Sequence, residues 1–77
     1  MNYQDVIESN PSVLYGKPTI KGTRIAVDLI TEKLSMGESV EELLLAYPQL
    51  SAQQIYACLA YATAVIRNEE VYYLKAS

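Results

Sequence analysis

Apolar residues change their spacing near residue 27. From there Val27, Ile30 and Leu34 recur at i, i+3 and i+7, the period of a helix with one buried face. Asp28 and Glu32 lie off that stripe, and Gly37 is a natural C′ stop. A first helix is therefore expected over roughly 27–36. Ser39 and Glu42 then form a capping-box pair. Val40, Leu43, Leu44 and Tyr47 follow at helical spacing. Pro48 closes this second helix, because the residue before a proline avoids the α region. Ser51 and Gln54 repeat the capping box, with Leu50 and Ile55 at the hydrophobic-staple positions. A third helix is expected from 52 to about 67.

Upstream of residue 27 the signals are those of strands and turns. Val6 and Ile7 are β-branched and Asn10-Pro11 marks a turn, so a short strand or one helical turn is expected there, then a loop. "PTIKGTRIAV" (residues 18–27) reads as a hairpin. Pro18 can open a strand but not sit inside one, and Gly22-Thr23 suits a two-residue turn with glycine at the first central position. Such a hairpin is not stable alone in water and has to lean on the helices. The expected architecture is mainly α: a three-helix, helix-turn-helix-like (homeodomain-like) domain with a short N-terminal β-hairpin. One domain spans 1–77, with the N-terminal segment and hairpin over 1–26, the three-helix core over 27–67 and a tail over 68–77.

The third helix departs from a simple amphipathic pattern. Ile55, Leu59, Ala62 and Ile66 make an inward stripe, yet Ala57, Ala60, Tyr61 and Ala64 leave the other side apolar too. A helix that is apolar around most of its circumference is usually covered on more than one side. Ala57, Ala60, Tyr61 and Ala64 are accordingly the candidate dimer face, small enough to let a partner helix approach. The tail "EEVYYLKAS" combines acids with Val71, Tyr72, Tyr73 and Leu74. It can extend the helix, form a strand, or order against a partner.

Composition narrows the chemistry. Seventy-seven residues with 51% hydrophobic content hold more apolar surface than a small monomer hides easily, which again points to a partner. With no histidine and one cysteine, Cys58, neither a Cys/His zinc site nor a His-based catalytic triad can be assembled in one chain. The carboxylate pairs Glu41-Glu42 and Glu69-Glu70 are helix neighbours that diverge. No enzyme activity, metal or cofactor is expected. The opening "MNYQDVIESNPS" lacks the basic and apolar regions of a signal peptide, and no run nears the ~20 apolar residues of a membrane span, so a cytoplasmic protein is expected.

The net charge is −3, yet residues 9–27 carry Lys17, Lys21 and Arg24 and no acid. "GKPTIKGTR" is not a phosphate-binding P-loop, since Gly16 and Gly22 are one residue too far apart and Thr23 stands where lysine is required. The loop is either a solvated turn or a small basic surface for an anionic partner. On the helix-turn-helix reading, Gln53, Gln54 and Tyr56 at the start of the third helix reach base edges while Lys21 and Arg24 supply phosphate contacts. The competing reading is a scaffold or dimer helix, since the third helix has no cation before Arg67 and Glu41 and Glu42 precede it.

Taken together these blocks resemble a known family, the domain-of-unknown-function family numbered 433. The shared pattern includes Asn10-Pro11, Gly16-Lys17-Pro18, Ile20, Gly22-Thr23-Arg24-Ile25, Val27, Gly37-Glu38-Ser39, Tyr47-Pro48, Leu50-Ser51, Ile55, Leu59 and Tyr61-Ala62. "KGTRI" with "YPQLS" is far more specific than either alone. The resemblance implies a homeodomain-like helical domain with a short β element. Members often neighbour PIN-like ribonuclease genes, and some are regarded as VapB-type antitoxins. It thus implies an antitoxin-like protein that binds and silences a PIN-like ribonuclease toxin and represses its own operon by binding operator DNA; the small residues of the third helix add the expectation of a homodimer. Val71, Tyr72, Tyr73 and Leu74 are the candidate toxin-docking residues. The alternatives are a DNA-binding regulator with no toxin and a structural dimerisation module.

Overall fold

The computed structural model describes the backbone of residues 2–76 and the side chains of residues 2–67. A 3-10 turn, Tyr3–Asp5, leads into strand β1, Ile7–Ser9, which pairs antiparallel with β2, Pro18–Ile20. Ile7 faces Ile20 and Ser9 faces Pro18. Three helices follow: α1, Val27–Ser35; α2, Val40–Ala46; and α3, Ala52–Ala76. The expected three-helix domain with an N-terminal hairpin is present.

The hairpin is built differently from the one expected. Its arms are β1 and β2, separated by residues 10–17, and not the two sides of Gly22. The chain reverses again after β2, where the Thr23 N–H donates to the Ile20 carbonyl at 3.0 Å. Lys21 and Gly22 are thus the central residues, and glycine is the second of them, with φ +76°, as a type II turn requires. The Thr23 hydroxyl donates to Ile20 O (2.7 Å) and accepts from the Ile25 N–H (3.0 Å). Beyond the turn only a single bridge, Thr19 to Ala26, joins the two sides, because helix α1 begins immediately at Val27.

The helix boundaries follow local chemistry. Gly37, at φ +95°, ends α1 in a Schellman arrangement: its N–H donates to Leu34 O and the Glu38 N–H to Lys33 O, both at 3.1 Å. Both capping boxes form, Ser39 with Glu42 and Ser51 with Gln54. The core gathers Ile7 and Ile20 from the strands, Val27 and Ile30 from α1, Leu43 from α2, and Leu50, Ile55, Ala57 and Cys58 around the start of α3. Leu50 and Ile55 lie together in it, consistent with the staple. The Cys58 thiol is fully buried, and desolvation pushes its pKa up to about 11, so it packs as a small hydrophobe rather than acting as a nucleophile. Among the described residues no helix is long and apolar enough to cross a membrane.

Candidate functional site

Helix α3 turns only part of the side its large residues suggest toward the core. Of the expected inward stripe, Ile55 is fully buried and Ala62 half-buried, but Leu59 is 41% and Ile66 53% exposed. Of the expected dimer face, Ala57 is fully buried. Tyr61 packs edge-on to Tyr3 of the N-terminal turn, with ring centroids 5.5 Å apart at 75°. Ala60, Tyr61 and Ala64 each remain partly open. The reason is steric. The N-terminal turn, β1 and α1 all press on one flank of α3, and the positions of Ala57, Cys58 and Tyr61 let that flank close. The larger Leu59 and Ile66 turn outward, with Tyr56 and Thr63 beside them and solvent-exposed.

This outward face borders a groove. Pro18 from β2, Val27 from α1, and Tyr61, Ala62, Val65 and Ile66 from α3 give it apolar walls, and Lys17, Asp28 and Thr31 are its polar lining. Its volume is about 230 Å³. Lys17 and Asp28 form an ion pair at 2.8 Å, with both side chains more than half exposed. One cation of the basic loop is thereby neutralised within the chain. The groove and the exposed face together expose Val65, Ile66, Leu59 and Tyr56 on one helix, a concentration that in soluble proteins usually marks an interaction site.

The chain entering the groove is strained. Leu14 and Tyr15 both adopt positive φ (+49° and +57°), followed by Gly16 at +83°. Left-handed backbone at a non-glycine residue costs about 1–2 kcal/mol, and two in succession before Lys17 are a marked outlier of the kind that clusters at functional sites. The Tyr15 ring gains nothing from the fold in return, since it is fully exposed. Nothing in the sequence of this segment, apart from Gly16, signals the conformation.

The nucleic-acid candidates fall on two separate elements. Lys21 and Arg24 flank Gly22 on the turn between β2 and α1, both exposed, and neither forms an ion pair among the described residues. Gln53 and Tyr56 are exposed on the first turns of α3. Gln54 is engaged locally: its Oε1 accepts the Ser51 N–H at 2.8 Å. Val71, Tyr72, Tyr73 and Leu74 lie outside the residues with described side chains. The α3 backbone itself runs on through them to Ala76, beyond the end expected near 67.

A β-hairpin laid against three helices, with the last two joined by a tight turn and the last one exposing apolar residues, defines a small helix-turn-helix-like domain. Residues 7–62 match the family described as "Protein of unknown function (DUF433)", and the chain belongs to that family. A curated relative, "Uncharacterized protein y4eO" of Sinorhizobium fredii (strain NBRC 101917 / NGR234), is 36% identical over 61 residues. Those residues are 79% of this chain and 28% of the relative, so this chain spans only a minor part of that protein's length. The fold is similar to the crystal structure of a DUF433 member protein from Anabaena variabilis ATCC 29413, with a TM-score of 0.76 and 30% identity over 96% of this chain and 71% of that one.

Proposed function

We propose that this chain is a binding protein of antitoxin type rather than an enzyme: it pairs with a second copy through α3 and holds a PIN-like ribonuclease inactive, with repression of its own operon as a second role. The observation that carries the reading is the apolar surface that α3 leaves open, Tyr56, Leu59 and Ile66 on its outward side and Val65 in the groove, on a helix that also builds the core through Ile55, Ala57 and Cys58. That face supports binding. The identity of the nuclease partner rests on the family resemblance. The nuclease docks on the C-terminal arm, residues 69–74, whose acids and large apolar residues suit a segment that orders against a partner.

The reading requires a PIN-like ribonuclease encoded beside this chain. Co-expression of the two should yield a complex without ribonuclease activity. Deleting residues 69–77 should abolish that complex while circular dichroism still reports a helical protein. Undiminished nuclease binding by the shortened chain would sink the arm assignment.

A second reading is favoured by Lys21 and Arg24, which form no ion pair among the described residues, and by the exposed Gln53 at the start of α3. On it the chain is a DNA-binding regulator without a toxin, with Lys21 and Arg24 on phosphates and Gln53 and Tyr56 at base edges. Gel shifts then show a salt slope that falls by about one for each of Lys21→Ala and Arg24→Ala. A shallow slope unaffected by both substitutions counts against it.

A further inference from the structure

We propose that the groove between α1 and α3 is filled by the α3 arm of a second copy of this chain, residues 69–74, with Glu69 and Glu70 brought beside Lys17. The inference rests on the dimer reading above and gives that dimer an occupant and a direction. The long wall of the groove is α3 itself, at Tyr61, Ala62, Val65 and Ile66. The α3 backbone continues past Ile66 to Ala76, which at 1.5 Å per residue is about 15 Å of further helix. A helix cannot fold back along its own flank, so a chain cannot fill its own groove with its own arm. A second copy running antiparallel can.

Seating the arm on the groove wall of the other copy sets the register. A two-fold axis between residues 67 and 68 sets positions 61–66 of one copy against positions 69–74 of the other, twice over, as an isologous interface requires. Tyr73 comes opposite Ala62 and Tyr72 opposite Thr63, large residues against smaller ones. The acidic Glu69-Glu70 step comes opposite Val65 and Ile66, which line the same groove as Lys17. Lys17 is already paired with Asp28, but that pair is solvent-exposed, and exposed pairs re-partner at little cost. The arm is also the segment assigned to the nuclease, so a nuclease and a second copy compete for it.

The test is light scattering on full-length chains at tens of micromolar. The unaltered chain is expected to be a dimer. Ala62→Arg, at a half-buried position on the groove wall, should raise the dimer dissociation constant at least ten-fold. Lys17→Glu, and separately Glu69→Lys with Glu70→Lys, should each weaken the dimer several-fold at low salt, and combining all three should restore it. That rescue is something a merely unfolded variant does not show. A monomeric unaltered chain overturns both this proposal and the dimer reading. A dimer that is indifferent to Ala62→Arg and to every charge reversal overturns the proposal and leaves the dimer reading standing.

Discussion

The two capping boxes start different helices with the same motif and different chemistry. At α2 the Ser39 N–H donates to Glu42 Oε1 (2.9 Å) and the Glu42 N–H to Ser39 Oγ (3.1 Å). At α3 the Ser51 N–H donates to Gln54 Oε1 (2.8 Å) and the Gln54 N–H to Ser51 Oγ (3.3 Å). The first box is closed by a charge, the second by a neutral amide. They also carry unequal loads. Helix α2 spans seven residues and buries one of them, Leu43. The α3 start positions Leu50, Ile55, Ala57 and Cys58 in the core. A charged cap also gains from the helix dipole, yet the neutral cap holds the part of the fold that more of the core depends on. Interaction strength and structural consequence are therefore separate quantities here.

Breaking the caps tests this ordering. Ser51→Ala should cost about 1–2 kcal/mol, the upper part of the range for a lost N-cap, because fraying there loosens the Leu50–Ile55 staple. For a domain of this size each kcal/mol lowers Tm by roughly 4–8 °C, so thermal unfolding followed by circular dichroism reads it directly. Ser39→Ala should cost less, about 0.5–1 kcal/mol, since fewer buried residues follow. Equal losses, or the reverse order, would mean that the local bond rather than the core behind it sets the cost.

The glutamines of α3 sharpen the comparison further. Gln54→Ala removes an acceptor from the second box and should lower stability by about 0.5–1 kcal/mol. Gln53→Ala, one residue earlier and exposed, should change stability by less than ~0.5 kcal/mol. If the α3 start reads DNA, Gln53→Ala weakens a gel shift at constant stability. If Gln54→Ala alone weakens it, the loss reports a frayed helix and not a base contact.

The same contrast explains what was legible before the fold was known. Caps, staples and the Gly37 stop depend on residues a few positions apart, and each is found where the residue pattern placed it. The orientation of α3 depends on distant segments. Its apolar residues encircle it, so no local signal selects a side. Tyr3, some sixty residues away in sequence, and α1 select it by packing against Tyr61 and Cys58's flank. That is why Leu59 and Ile66 face outward against their size, and why the groove is not readable from the helix alone. The hairpin shows a related limit. Gly22 announced a turn, and there is a turn, but β2 takes β1 as its partner because α1 begins before a second arm can form. Leu14 and Tyr15 are the extreme case: their left-handed backbone is imposed on residue types that disfavour it.

The smallest expected effect isolates the difference between the boxes most cleanly. Bonding from the Ser39 backbone N–H, and secondarily from its side chain, holds the Glu42 carboxyl below its ordinary pKa of 4.5. The folded state therefore favours the carboxylate more than the unfolded state does. The resulting stability is complete above the unfolded pKa and is lost as pH falls through the lower, folded one. Gln54 has no proton to take up over that range, so the second box is indifferent to acid. Glu42→Gln turns the first box into a copy of the second. Urea unfolding of both proteins between pH 3 and 7 should show the unaltered chain more stable at neutral pH and the difference narrowing below about pH 4.5. The other acids contribute equally to both chains, so they cancel in the comparison. A difference that stays constant across the range would mean that Glu42 acts in the cap through its shape and hydrogen bonding alone, and that its charge adds nothing at this exposed helix end.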